Sequence, residues 1–184
     1  MNRLFANSFT CVLIGLLSLL ATTQNPNGKQ WIGTWATAPQ PPEPGHVKRF
    51  RNQTLRLIVH NSTGGTRVRI KISNTFGDHP LVIGGARIAR RTDVADIDPK
   101  SDRTLNFEGK SSTTVAAGLT VVSDPVALEV PALSDLAVSL FLPESTEVKT
   151  LHVLALQTSY VSQTGTLRRT QSFRWQRKSI RGRS

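Results

Sequence analysis

The chain has 184 residues, a net charge of +11 and a single cysteine, Cys11. This is enough chain for one domain with its own core. A lone cysteine excludes a disulfide framework and a cysteine metal site. Residues 168–184 carry seven positive charges and no acid, so +4 of the +11 is left for the other 167 residues. The high charge is therefore a property of the tail and does not indicate a fold built for nucleic acid.

Residues 1–24 have Arg3 near the start, an apolar run over 11–21, and then Ala21-Thr22-Thr23-Gln24. The run is short for a bilayer span and ends in small and polar residues, which predicts a secretory signal peptide; a membrane anchor is the alternative. Cleavage after Ala21 or shortly beyond would remove Cys11, and with it any thiol nucleophile. The expected localisation is secreted or periplasmic, with no stable membrane insertion after cleavage. Residues 25–30 read as a polar linker.

Residues 31–37 (WIGTWAT) are rich in strand formers. Trp31 and Trp35 are four apart, so strand alternation would place both on one face, as a stacking platform for a sugar or as packing on the core edge. Pro39, Pro41, Pro42 and Pro44 then block regular pairing and predict a loop or extended arm.

Residues 53–89 are the most strongly patterned stretch. Leu55, Leu57 and Val59 alternate with Arg56, Ile58 and His60; Val68, Ile70 and Ile72 alternate with Arg67, Arg69 and Lys71. A period of two places apolar side chains on one face of a pleated strand. Asn61-Ser62-Thr63-Gly64-Gly65 suggests a hairpin, and Gly77-Asp78-His79-Pro80 starts a third run. The expectation is a three-stranded antiparallel meander with one apolar and one cationic face. Arg67, Arg69 and Lys71 form a stripe that either meets an acidic partner or is simply solvated.

Residues 93–103 read as a polar loop. Short strands follow over 104–107, 113–116, 119–122, 126–130 and 136–142, with Ala117-Gly118 as a hairpin turn, and a last apolar run covers 151–161. Outside the signal, no segment has ten residues at helical spacing. Many short strands between Gly and Pro turns predict an all-β sandwich or barrel. Each strand offers about three inward aliphatics, each worth ~1.5–3 kcal/mol when fully buried. On this register, Ile70→Ala should cost ~2–5 kcal/mol.

Catalytic patterns are absent. There is no Gly-x-Ser-x-Gly and no Asp-x-x-His, and Gly77-Asp78 is followed by His79 and not by serine. His46, His60, His79 and His152 lack paired metal spacing. Asp93, Asp96 and Asp98 could hold a hard cation or form a solvated turn, but they lack the glycine and terminal glutamate of a calcium loop. Phosphate-loop and dinucleotide glycine patterns do not occur, so no cofactor and no metal is expected. Asn52-Gln53-Thr54 and Asn61-Ser62-Thr63 fit the glycosylation sequon.

Several blocks occur in a characteristic order: WIGTWATAP at 31–39, GGTRVRIKISNTFG at 64–77, SDPVALEV at 123–130, LAVSLFLP at 136–143 and QTSYVS at 157–162. Together they resemble the N-terminal region of secreted bacterial GDSL-type esterases of the SGNH hydrolase superfamily, over roughly residues 31–164. The resemblance implies a jelly-roll-like antiparallel β-sandwich accessory domain at 31–164, packed in the intact enzyme against an α/β catalytic domain. It also implies carbohydrate esters as a substrate class. The Gly-Asp-Ser block that should open the catalytic domain does not follow Gly165, so no catalytic residue carries over. Residues 165–184 shift abruptly to Arg, Ser and Gln; they are expected to form a disordered basic tail, as a frameshifted or prematurely ended reading of a longer gene would. The predicted function is a non-catalytic accessory domain of such an esterase. The alternative is a free-standing binding module that recognises polysaccharide through the Trp31/Trp35 region. A nucleic-acid partner is not expected.

Overall fold

A computed structural model describes residues 30–152, 157–162 and 175–178. The chain divides into two compact units, Met1–Ile32 and Gly33–Ser184. Of the first unit, only residues 30–32 are described; all three are exposed and outside any strand. The expected signal helix lies outside the described residues.

The second unit is built of strands in antiparallel pairs, with no α-helix among the described residues. In chain order they are β1 (Lys48–Phe50), β2 (Gln53–Asn61), β3 (Gly65–Val68), β4 (Lys71–Ser73), β5 (Leu81–Ile83), β6 (Gly85–Arg90), β7 (Arg103–Leu105), β8 (Thr113–Val115), β9 (Thr120–Val122), β10 (Val126–Val130), β11 (Ser134–Leu142), β12 (Thr146–Val148), β13 (Ser159–Ser162) and β14 (Trp175–Lys178). A 3-10 turn, Pro99–Ser101, precedes β7 and is capped by the Asp98 side chain.

Pairing is nested. β6 pairs with β7, β5 with β8, β4 with β9, β3 with β10, β2 with β11 and β1 with β12. The stretch from β1 to β12 is thus one long hairpin whose tip is the β6–β7 connection. β11 also pairs with β6, and β13 with β2, giving a six-stranded sheet in the order β14-β13-β2-β11-β6-β7.

This arrangement corrects the expected meander. β2 and β3 are consecutive but do not pair, and neither do β8 and β9, the expected hairpin across Ala117-Gly118. The alternation was read correctly; the partners were not. A glycine turn fixes where the chain bends, whereas the partner is set by which apolar faces bury together. The third expected strand is also two: Gly84 separates β5 from β6, and its N–H donates to the Phe141 carbonyl at 2.9 Å. A Cβ there would press on Phe141 and Pro143, so the crossing fits only glycine.

The main core joins the six-stranded sheet to the two-stranded ladders. Ile88, Leu105, Leu136, Val138, Leu140 and Leu142 from the sheet pack in one cluster with Phe50, Ile72, Ile83, Val115, Leu128 and Val130 from the ladders. Leu55, Leu57, Val59, Val68 and Ile70 pack against it, as their alternation requires. A second cluster on the opposite face of the sheet contains Ile58, Ala89, Ala137 and Tyr160, covered by Ala95 and Ile97 of the 91–102 loop.

Asn74 fastens two turns together. Its side chain donates to the carbonyls of His79, Val115 and Ala116 at 2.9, 3.1 and 3.3 Å. Its backbone carbonyl accepts from Gly77 and Gly118, both at 3.0 Å. A Cβ on Gly77 would collide with the Asn74 side chain, so glycine is required there by close approach.

The expected disorder of the tail does not hold at Trp175–Lys178. These residues form β14 and pair with β13 over four positions, from Ser159↔Lys178 to Ser162↔Trp175. The edge of β13 presents backbone donors and acceptors that any extended segment can satisfy, and basic side chains do not prevent it. Residues 165–174 and 179–184, the rest of the expected tail, lie outside the described residues.

Candidate functional site

Arg67 lies in β3, Arg69 in the break between β3 and β4, and Lys71 in β4; all three are exposed. The break does not scramble them. Ile70 still pairs with Ser123, whose N–H donates to the Ile70 carbonyl at 2.9 Å and whose Oγ accepts the Ile70 N–H at 3.0 Å. Val68, Ile70 and Ile72 therefore stay inward against the core, and the three cations stay outward.

Across the ladders, Arg67 faces Ala127 and Lys71 faces Val122. Arg103 approaches β10 from its other side and donates to the Ala127 carbonyl at 3.0 Å. Sequence reasoning missed this fourth cation, because only the β7–β10 packing brings it near the stripe. The Asp124 carboxylate accepts from the N–H groups of Glu108 at 3.1 Å and Gly109 at 2.8 Å, closing the 107–110 turn.

Trp31 is 40% exposed and Trp35 46% exposed. Residues 30–39 form no strand, so the alternation that would have put both on one face does not operate. Trp35 follows a pinned residue. The Ser62 N–H donates to the Thr34 carbonyl at 3.2 Å, and the Thr63 N–H donates to Thr34 Oγ1 at 2.9 Å.

The opposite face of the six-stranded sheet is not the solvated cationic face that the pattern suggests. Register aligns Tyr160, Arg56, Ser139, Arg87 and Thr104 in one row across five strands. Arg56 is only 4% exposed. It donates from Nε to Ser139 Oγ at 3.0 Å and from Nη1 to the Ala95 carbonyl at 2.5 Å. Arg87 holds Asp102 through Nε at 2.9 and 3.0 Å and through Nη2 at 2.8 Å. At the end of the sheet, the Asp135 carboxylate bridges His60 Nδ1 at 2.8 Å and Arg91 Nη1 at 2.7 Å. Arg90 pairs with Asp98 at 2.6 Å. The signal missed in the sequence was the loop itself: Ala95 and Ile97 are apolar residues in an otherwise polar stretch, and they mark it as a cover.

The acidic cluster of that loop is divided among separate tasks. Asp93 accepts from the Val94 N–H at 2.8 Å, while Asp98 caps the 3-10 turn and holds Arg90. Among the described residues, no three His, Cys, Asp or Glu side chains converge to hold a metal ion. His79 Nδ1 lies 2.8 Å from Asp78, which also pairs with Lys149; Lys149 reaches Glu147 at 3.6 Å, and Glu147 pairs with Arg49. This chain of charges ties the 77–80 turn to the β1–β12 ladder. Hydrogen bonds from Lys149 and His79 hold the Asp78 carboxyl well below its ordinary value.

The two sequons differ. The Asn61 side chain is fully buried and donates to the Pro131 carbonyl at 2.8 Å, whereas Asn52 is exposed at a turn with φ 50°.

No protein-family model matches this chain, and no curated protein matches it.

Proposed function

We propose that the chain is a non-catalytic accessory module of a secreted GDSL-type esterase, and that its strands form a jelly-roll-like sandwich. Nested pairing and a core shared between the six-stranded sheet and the ladders support the sandwich. One observation carries the functional reading: the blocks that resemble the esterase region form the frame of the fold. Asn74 of SNTFG, Ser123, Leu128 and Val130 of SDPVALEV, the four leucine and valine positions of LAVSLFLP, and Tyr160, Val161 and Ser162 of QTSYVS are all buried. These blocks thus supply residues that pack the interior of this chain. The ionisable groups beside them point the same way, since Arg87–Asp102, Arg90–Asp98 and Arg91–Asp135 tie the sheet to its covering loop.

In the intact enzyme, such a module would sit beside the domain that cleaves the ester and shape the entrance for a carbohydrate ester. The test is hydrolysis of p-nitrophenyl acetate by the purified chain. The expected rate equals that of buffer; hydrolysis abolished by substituting one serine would overturn the reading. A free-standing carbohydrate-binding module is the second reading, favoured by Trp35, half exposed next to a pinned backbone. Retardation on a polysaccharide gel, lost in both Trp31→Ala and Trp35→Ala, would select it.

A further inference from the structure

We propose that the outer edge of β13, when uncovered, pairs with the same edge of a second copy of this chain, and that the cationic strand β14 covers it. β13 reads Ser159-Tyr160-Val161-Ser162, with no charge and no proline. Its two central residues serve both cores: Val161 packs in the main cluster and Tyr160 in the second. β2 holds one side of β13, through Tyr160↔Arg56 and Val161↔Leu55, and β14 takes the other. An uncharged edge with tyrosine and valine at its centre is a template on which another strand adds.

The two ends of the six-stranded sheet are closed differently. At β7 the 124–127 segment meets the edge: the Asp124 N–H donates to the Asn106 carbonyl at 2.7 Å, and Arg103 Nε donates to the Ala127 carbonyl at 3.0 Å. At β13 the cover is a separate four-residue strand, which among the described residues pairs with β13 alone. Register places Arg177 opposite Tyr160 and Lys178 opposite Ser159. Cations set against an uncharged strand cost little. Two β14 edges meeting would set cations against cations, which opposes pairing. β14 thus satisfies the β13 backbone and leaves the sheet with an edge that repels its own copy. Uncovered β13 has no such defence. Antiparallel pairing about a two-fold axis normal to the sheet is self-complementary, sets no like charges opposite one another, and continues the apolar layers across the seam. The pairing depends only on how these strands meet, and not on the accessory-module reading.

The experiment is sedimentation velocity of the full chain over a range of concentrations. Wild type should stay monomeric. Gln176→Pro/Arg177→Pro removes two consecutive N–H groups, which point to opposite sides of the strand, so the one facing β13 is lost. This variant should approach twice the monomer mass as concentration rises. Ser159→Lys added to it puts a charge on β13 itself and should restore the monomer. A synthetic peptide of residues 173–180, in excess over the proline variant, should do the same by reoccupying the edge. Arg177→Val/Lys178→Val keeps the strand but removes its charge and should self-associate as well, which gives a reading even if the proline variant does not fold. A folded proline variant or a valine variant that stays monomeric, a dimer untouched by both the peptide and Ser159→Lys, or a wild-type dimer at the same concentrations would overturn the proposal.

Discussion

Burial lowers the Arg56 pKa to about 10, although Asp102 and Asp96 pull it upward. The guanidinium is therefore still charged at neutral pH while lying under the 91–102 loop, and it must be held by acceptors. Ser139 and the Ala95 carbonyl supply two of them. Arg56→Ala should cost about 2–4 kcal/mol in urea denaturation, because it opens space and strands both acceptors. Arg56→Lys should recover only part of this loss, since an ammonium cannot reproduce the fork that reaches two acceptors at once. An unchanged midpoint for Arg56→Ala would mean that the loop is not anchored there. Asp135 allows a test by pH. Burial raises its carboxyl, but hydrogen bonds from His60 and Arg91 outweigh burial and hold the pKa below its ordinary value. A carboxyl lowered in the folded state stabilises the fold above its unfolded pKa of ~3.9, and the effect is lost as pH falls through the folded value. The stability difference between wild type and Asp135→Asn should shrink as pH falls below about pH 4. A difference that stays constant to pH 3 would exclude this linkage. Neither the Arg56 anchor nor the His60–Asp135 contact could be read from the sequence, because Arg56 and His60 alternate with Leu55, Leu57 and Val59 as solvated side chains would.

At the scale of strands, burial depth differs among positions that look alike in the pattern. Ile70 falls in the break between β3 and β4 and is only partly buried against the core. Ile88, central in β6, is 1% exposed and flanked by β11 and β7. Ile88→Ala should cost ~2–5 kcal/mol, and Ile70→Ala measurably less, because a partly exposed site loses less transfer energy and can admit water. Equal losses in denaturant midpoints would show that Ile70 is fully enclosed. The same strands show what local pattern can reveal. Alternation identified Val68, Ile70, Ile72, Val126, Leu128, Val130 and the apolar positions of β11 as inward, since a period of two is intrinsic to one strand. It could not reveal that β2 pairs with β11 and β3 with β10, because partner choice belongs to the whole set of faces. The two short strands β1 and β12 escaped for a related reason: three residues are too few to show a period, and β1 exists because β12 lies beside it.

For the whole molecule, nesting fixes the order in which ladders close most readily. Among the ladders, the innermost rung joins Ile88 to Arg103, and the outermost ladder, β1–β12, begins at Phe50–Thr146. The outer loop is roughly six times longer, so closing it first costs about 1.6 kcal/mol more in chain entropy. Once β2 lies on β11, the outer rung needs only the short connections at 51–52 and 143–145 to fold over. Each ladder thus prepares the next, from the β6–β7 tip outward. Because almost every pairing is non-local, refolding should fall in the millisecond-to-second range of all-β domains. Pulse-labelling hydrogen exchange should find the paired amides of β6 and β7 protected before those of β1 and β12, with β2 and β11 between. If β1 and β12 are protected as early as the tip, closure does not proceed along the hairpin, and hydrophobic collapse of the two long strands β2 and β11 sets the order instead.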